Sequence, residues 1–299
     1  MHARRRLPGL SILAAALLIA VSACSSVRTV EPARVAAFGE GVGKVHTQLD
    51  TTFASINEFI TDDEVDRAVN LPKLTDEDVP VVFKQQDIAK WDTAFSYIDQ
   101  YVANLTLLLS PDNAKRFTDA TEKLATELQQ VAPKALASDK FGPVATAFAE
   151  LGRLLIEAKA QSDALAAART ADPGIQKIFT EMAAVIGESN EAGVRGTVAQ
   201  HWTLRMAQQR AAFLRAKGEA RRQIVLEYIK LRNGRDVQDL QLSLLRQSIL
   251  DLAAAHSALA RGSGVDLAGA IAMIQQELDA TRSLSDFFTS LKTGAKTTK

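Results

Sequence analysis

Cysteine is almost absent from this chain: among 299 residues only Cys24 carries a thiol. A disulfide within the chain is therefore excluded, and so is a zinc site built from several thiolates. Histidine is nearly as scarce. Beyond the first few residues only His46, His201 and His256 occur, without metal-ligand spacing and without the Glu-x-x-His pairs of carboxylate-bridged metal bundles. A hydrolase triad would need one of them beside a nucleophile. Phosphate-binding loops are missing too. Gly262-Ser263-Gly264 has neither the lysine nor the preceding strand that such a loop requires. Aromatic residues make up 6 % of the chain. No clean alternation of Val, Ile, Thr and aromatics marks a strand. Excess charge of either sign is lacking, with 35 basic and 35 acidic residues, which argues against a nucleic-acid binder.

What is present is helix. Ala, Leu, Gln, Glu, Lys and Arg dominate, all favourable in helices. Val35, Phe38, Val42, Val45, Leu49, Phe53, Ile56 and Phe59 recur at steps of three and four, one apolar face of an amphipathic helix. Gly39, Gly41 and Gly43 weaken its early turns or let a neighbour approach closely. Ile88, Trp91, Phe95, Ile98, Val102, Leu105 and Leu109 repeat the rhythm most cleanly, up to a break at Ser110-Pro111. Ala114, Phe117, Thr121, Leu124, Leu128 and Val131 continue it as the second arm of a hairpin.

Further helices follow. One runs through Val144, Phe148, Leu151 and Leu155 and fades near Arg169. Asp172-Pro173 reads as a cap and first residue, and Ile175, Ile178, Met182 and Ile186 follow it. Glycines 187, 193 and 196 mark a break. A long helix is expected over 197–232, with Trp202, Met206, Phe213, Ile224 and Leu231 inward and a turn at Asn233-Gly234. Leu245, Ile249, Leu252, His256 and Leu259 mark the next. The last is expected to be capped by Asp266. Between the first two helices, residues 61–86 read as an acidic loop holding Pro72 and Pro80. Residues 294–299 read as a frayed tail. The sum is all-α: an elongated antiparallel bundle of about seven to eight helices over 32–293, several longer than about 20 residues. "PDNAKRFTD" (111–119) and "PGIQKIFTE" (173–181) share Pro, Lys, Phe, Thr and an acid at equal spacing, a weak sign of a duplicated hairpin.

The N-terminus is of another kind. Arg4, Arg5 and Arg6 precede the apolar Leu10–Val21, too short for the ~20 residues of a spanning helix. Small residues Ser22 and Ala23 lead to Cys24. This is the layout of a secretory signal peptide, residues 1–23. Val21-Ser22-Ala23-Cys24 resembles the lipobox of bacterial lipoproteins. The resemblance implies cleavage before Cys24 and acylation of its sulfur and new amine, with 24–31 as a lipidated tether. It accounts for the lone thiol, since more than one acyl chain makes a lasting anchor. An ordinary signal peptide with a stray Cys, or an uncleaved anchor, is the alternative. Ser25, where many inner-membrane lipoproteins have Asp, favours the outer membrane facing the periplasm, or the cell surface where there is only one membrane.

One charge pattern stands out. Residues 205–235 hold nine Lys or Arg against Glu219 and Glu227. Arg215, Lys217, Arg221 and Arg222 are the candidate contacts to an acidic protein partner, an anionic envelope polymer or lipid headgroups. The plainer expectation is a solvated helix whose charges meet the acidic loop at 61–80. His256, on an apolar stripe, is expected to be a satisfied core histidine, and His201 beside Trp202 likewise. No cofactor or metal is implied. The function expected is binding, as a scaffold, adaptor or inhibitor in the envelope, with the membrane held through Cys24. An enzyme with an unidentified carboxylate site, or a helical carrier of a small apolar ligand, is the alternative.

Overall fold

The computed structural model describes residues 32–296 apart from 70, 76, 77, 79, 80 and 162, with the side chains of 63, 66, 67, 111 and 287–296 left aside. Cys24, the signal peptide and the tether lie outside the described residues. Within them the protein is all-α. Nine helices occur: α1 (Pro32–Ala68), α2 (Gln85–Leu107), α3 (Ala114–Gln130), the single turn α4 (Ala132–Ala135), α5 (Gly142–Ala158), α6 (Ala164–Ile186), α7 (Gly193–Arg215), α8 (Gly218–Arg261) and α9 (Gly264–Lys296).

The apolar stripes become the core. Every member of the Val35-to-Phe59 series is buried, as are Trp91, Phe95, Ile98 and Leu105 on α2 and Phe117, Leu124 and Leu128 on α3. Helices pack in the order α1, α2, α3, α5, α6, α8 and back to α1, with α9 against α1 and α8. Close approach uses small residues: a Cβ on Gly39 would meet Val102 at 2.9 Å, and one on Gly41 would meet Ile271 at 3.0 Å. The segment before α2 is pinned at Phe83, which stacks on Phe53 at 4.1 Å. Asn57 donates to the Phe83 carbonyl and accepts from its N–H, both at 2.9 Å.

The direction of α1 is set by contacts at its two ends. Near the start, Arg34 donates to the Gly262 carbonyl at 2.9 Å. Phe38 lies edge-on to His256. Near the other end, Phe59 packs on Trp202, whose indole N–H donates to Gln238 at 2.9 Å. Residues 34 and 38 thus meet 262 and 256, whereas 59 lies by 238, so α1 and α8 are antiparallel. At 44 residues, α8 is about 66 Å long. Residue 32 sits beside its C-terminal end, and the α7–α8 turn lies at its opposite end.

Several boundaries differ from expectation. The acidic segment stays helical to Ala68, because Ile60 and Glu64 are buried and no Gly or Pro intervenes before Pro72. The break expected near Arg169 comes earlier, where Asp163 accepts the Ala166 N–H at 2.9 Å and caps α6. Asp172-Pro173 falls inside α6. An interior proline costs about 3 kcal/mol, offset here by a helix buried along most of its length. The two resembling nonapeptides therefore occupy different positions: Pro111 opens a turn of 3-10 helix before α3, while Pro173 is mid-helix. Asn233-Gly234 does not turn the chain. Gly234 is buried inside α8, and the turn lies at Ala216-Lys217, both extended, with Gly218 at φ +59°. At the last break Ser263, not Asp266, is the capping side chain, since its Oγ receives the Asp266 N–H at 3.4 Å. Residues 294–296 remain helical.

Candidate functional site

Some ionisable groups form buried networks within the bundle. His256, on α8, is fully buried, and both its nitrogens are used. Nδ1 lies 2.8 Å from Asp172 Oδ1 and Nε2 lies 2.8 Å from the Tyr101 hydroxyl. Ser257 and Gln176 also donate to Asp172. Burial works to raise the Asp172 carboxyl. The hydrogen bond and charge of His256, with Ser257 and Gln176, nonetheless hold it below its ordinary value. Burial and the Asp172 charge push the Tyr101 phenol well above its ordinary range. Nδ1–H therefore donates to Asp172, and the Tyr101 hydroxyl shares a hydrogen bond with Nε2. His256 is a satisfied core histidine, as its place on an apolar stripe implied. Its partners come from α2 and α6, and only the fold brings them together.

His201 is largely buried, with Nε2 3.9 Å from Glu64 Oε1 and its ring edge-on to Trp202. His46 was not singled out by spacing. It stacks on Phe95 at 4.7 Å. Its Nε2 lies 3.0 Å from Asp92 and 3.8 Å from Asp50. These three residues each place a ligating atom within 4.8 Å of the others, so they could hold a divalent cation. A histidine hydrogen-bonded to Asp92 and lying beside Asp50 accounts for the same geometry. The i,i+4 step from 46 to 50 is legible in the sequence; Asp92, from α2, is not.

A carboxyl pair joins α8 to α9. Ser248 donates to Glu277 Oε2 at 2.8 Å and Gln247 to Asp251 Oδ1 at 3.0 Å, while the protonated Glu277 carboxyl is the hydrogen-bond partner of Asp251. Burial pushes the Glu277 carboxyl up to about 7, against the pull of the Ser248 hydrogen bond, and the charge of Asp251 adds to the rise. The folded value exceeds the ordinary 4.5, so the fold favours protonated Glu277. This stabilisation is complete below about pH 4.5 and is lost as the pH rises through about 7. Glu277 is only half buried, and screening reduces the effect to about 1–2 kcal/mol. Glu277→Gln should therefore raise the melting temperature at pH 8 and leave it nearly unchanged at pH 4.5. An equal change at both would refute the assignment.

The remaining feature is the end of the α7–α8 hairpin. From Ala207 to Lys230 no residue is buried. The last buried side chain on α7 is Met206, and the first on α8 is Leu231. The hairpin thus projects about 15–20 Å beyond the core. Phe213 and Ile224 are half-buried. Leu214, Val225, Leu226 and Ile229 are exposed, Leu214 to 81 %. On one side Gln209, Arg210, Phe213, Leu214, Ile224, Val225 and Tyr228 line a groove of about 440 Å³. The four cations singled out in the sequence all lie here. Arg221 sits over the Phe213 ring, 3.9 Å from its centroid. Arg222 pairs with Glu219 at 3.3 Å. Among the described residues Arg215 and Lys217 form no ion pair, and none of the four pairs with the acidic segment at 61–80. Of the inward set expected for this stretch, Trp202, Met206 and Leu231 are buried, while Phe213 and Ile224 belong to the projection.

Elsewhere, the void lined by Phe53, Phe83, Trp91 and Phe141 holds about 30 Å³. A ligand site typically needs about 300–1,000 Å³. Among the described residues no helix is long and apolar enough to cross a membrane. No family model matches the chain, and neither a curated protein nor a solved structure matches it.

Proposed function

We propose that this is a lipid-anchored helical protein of the bacterial envelope that works by binding, as a scaffold, adaptor or inhibitor, and that the α7–α8 hairpin is its contact surface. The observation that carries the reading is the projection itself. Residues 207–230 expose both apolar side chains and cations that the bundle does not neutralise. Isolated exposed leucines are ordinary, but a contiguous apolar stretch on an unsupported hairpin is what interaction surfaces look like. The lipobox resemblance at Cys24 supplies the anchor, and Ser25 favours the outer membrane facing the periplasm.

The test uses Arg215→Glu with Lys217→Glu, because neither side chain has an ionic partner to lose. Capture of proteins from an envelope extract should fall for the variant and also fall with added salt for the wild type. The melting temperature should stay within about 1–2 °C, since exposed substitutions cost little. Equal capture by both proteins would reject the hairpin as the contact. A lowered melting temperature with equal capture would show instead that these charges serve the fold.

A further inference from the structure

We infer that the groove between α7 and α8 receives an acidic amphipathic helix of a partner protein, an inference that rests on the hairpin being the contact surface. The groove is a seam with helix on two sides and nothing on the third. Phe213, Ile224 and Tyr228 line it half-buried, and Leu214 and Val225 line it exposed. A third helix laid along the seam would fill it with apolar residues at i, i+3, i+4 and i+7. The lined stretch runs from Gln209 to Leu214 on one arm and from Ile224 to Tyr228 on the other, about one and a half turns of contact.

Charge decides the partner's flanks. Arg210 lines the groove and lies 5.9 Å from the Tyr228 ring centroid. Arg221 covers Phe213 from the other arm, with Arg215 and Lys217 at the turn. The two acids of the hairpin are already engaged, Glu219 by Arg222 and Gln223, Glu227 by Lys230. A partner helix must therefore bring the carboxylates. A second copy of this hairpin would set two cationic faces against each other. The chain's own acidic segment is already used: up to Ala68 it is the end of α1, held in the bundle through the buried Ile60 and Glu64. A bilayer fits less well. The end of the hairpin is Lys217, Glu219, Arg221 and Arg222, so end-on insertion would bury charge first.

The experiment uses the chain from residue 24 onward with Cys24→Ser, so that no lipid enters the measurement; residues 32–296 lie wholly within it. The probe is a labelled synthetic peptide of about 18 residues, Leu on one helical face and Glu on its flanks, read by fluorescence anisotropy. Controls are the same peptide with Lys for Glu, a shuffled acidic peptide without the apolar face, and vesicles with and without an anionic phospholipid. The acidic amphipathic peptide should bind, the two control peptides should not, and Val225→Glu should weaken binding by about tenfold or more at an unchanged melting temperature. Arg215→Glu with Arg221→Glu should shift preference to the Lys peptide. Binding of anionic vesicles but not of the acidic peptide would overturn the helix as occupant while leaving the hairpin as a contact surface. Binding of neither would overturn it as well. If capture from extract were also insensitive to Arg215→Glu with Lys217→Glu, the contact surface itself would fall with it.

Discussion

Gly187→Ala should cost about 3 kcal/mol or more, while Gly218→Ala should cost only about 1 kcal/mol. Both glycines have positive φ, +104° and +59°, and the difference lies in their surroundings. A Cβ on Gly187 would stand 2.0 Å from the Ala192 carbonyl oxygen and 2.7 Å from its carbon. Those are backbone atoms, and the same turn holds Gly193, whose own Cβ would stand 2.5 Å from the Val185 oxygen. The α6–α7 connection has no side chain that can swing aside. A Cβ on Gly218 would have nothing within 4 Å, so alanine there meets only the left-handed penalty. Urea unfolding of the two variants checks this. Equal losses would show that the α6–α7 turn is looser than its contacts imply. The distinction matters for function, because Gly187 sets where α7 leaves the bundle and Gly218 lies within the hairpin turn itself.

These two glycines also show where the sequence could and could not be read. The faces of α1, α2 and α3 were legible because apolar residues repeat at three and four over many turns, and packing honours such a stripe. Turns were harder. Asn233-Gly234 carries the stronger turn signal, yet both residues accept helical angles, and burial along α7 keeps them helical. Lys217-Gly218 carries a weaker signal and makes the turn. Asp172-Pro173 resembles a helix start, but the Asp172 side chain is committed to His256, Ser257 and Gln176, contacts that lie on α8 or one turn on and leave no cap to make. The basic residues at 215–222 were legible as a charge excess. That they share a projection with Leu214, Val225 and Ile229 was not, because it depends on where the turn falls.

Cys24→Ser should remove the protein from the membrane fraction or leave it as an uncleaved precursor. The expectation comes from the joint pattern of Arg4 to Arg6, the apolar Leu10–Val21 and the small residues before Cys24. Lipid on both sulfur and amine would give the two or more acyl chains that stable anchoring needs, where a single chain binds only marginally. The fold adds a consequence for reach. Residue 32 lies at the C-terminal end of α8, and the hairpin turn lies about 66 Å along that helix. Eight tether residues, 24–31, span at most about 28 Å. An upright bundle would therefore present the hairpin far from the anchoring membrane, toward partners set off from it, rather than against its own bilayer. Intact-mass measurement of protein extracted from membranes should give a chain beginning at Cys24 and carrying acyl mass. A chain that retains residues 1–23, or that lacks lipid at Cys24, would remove the anchor. The hairpin would then be left as a binding surface of an untethered protein, with capture of the acidic helix unchanged but its hold on the envelope gone.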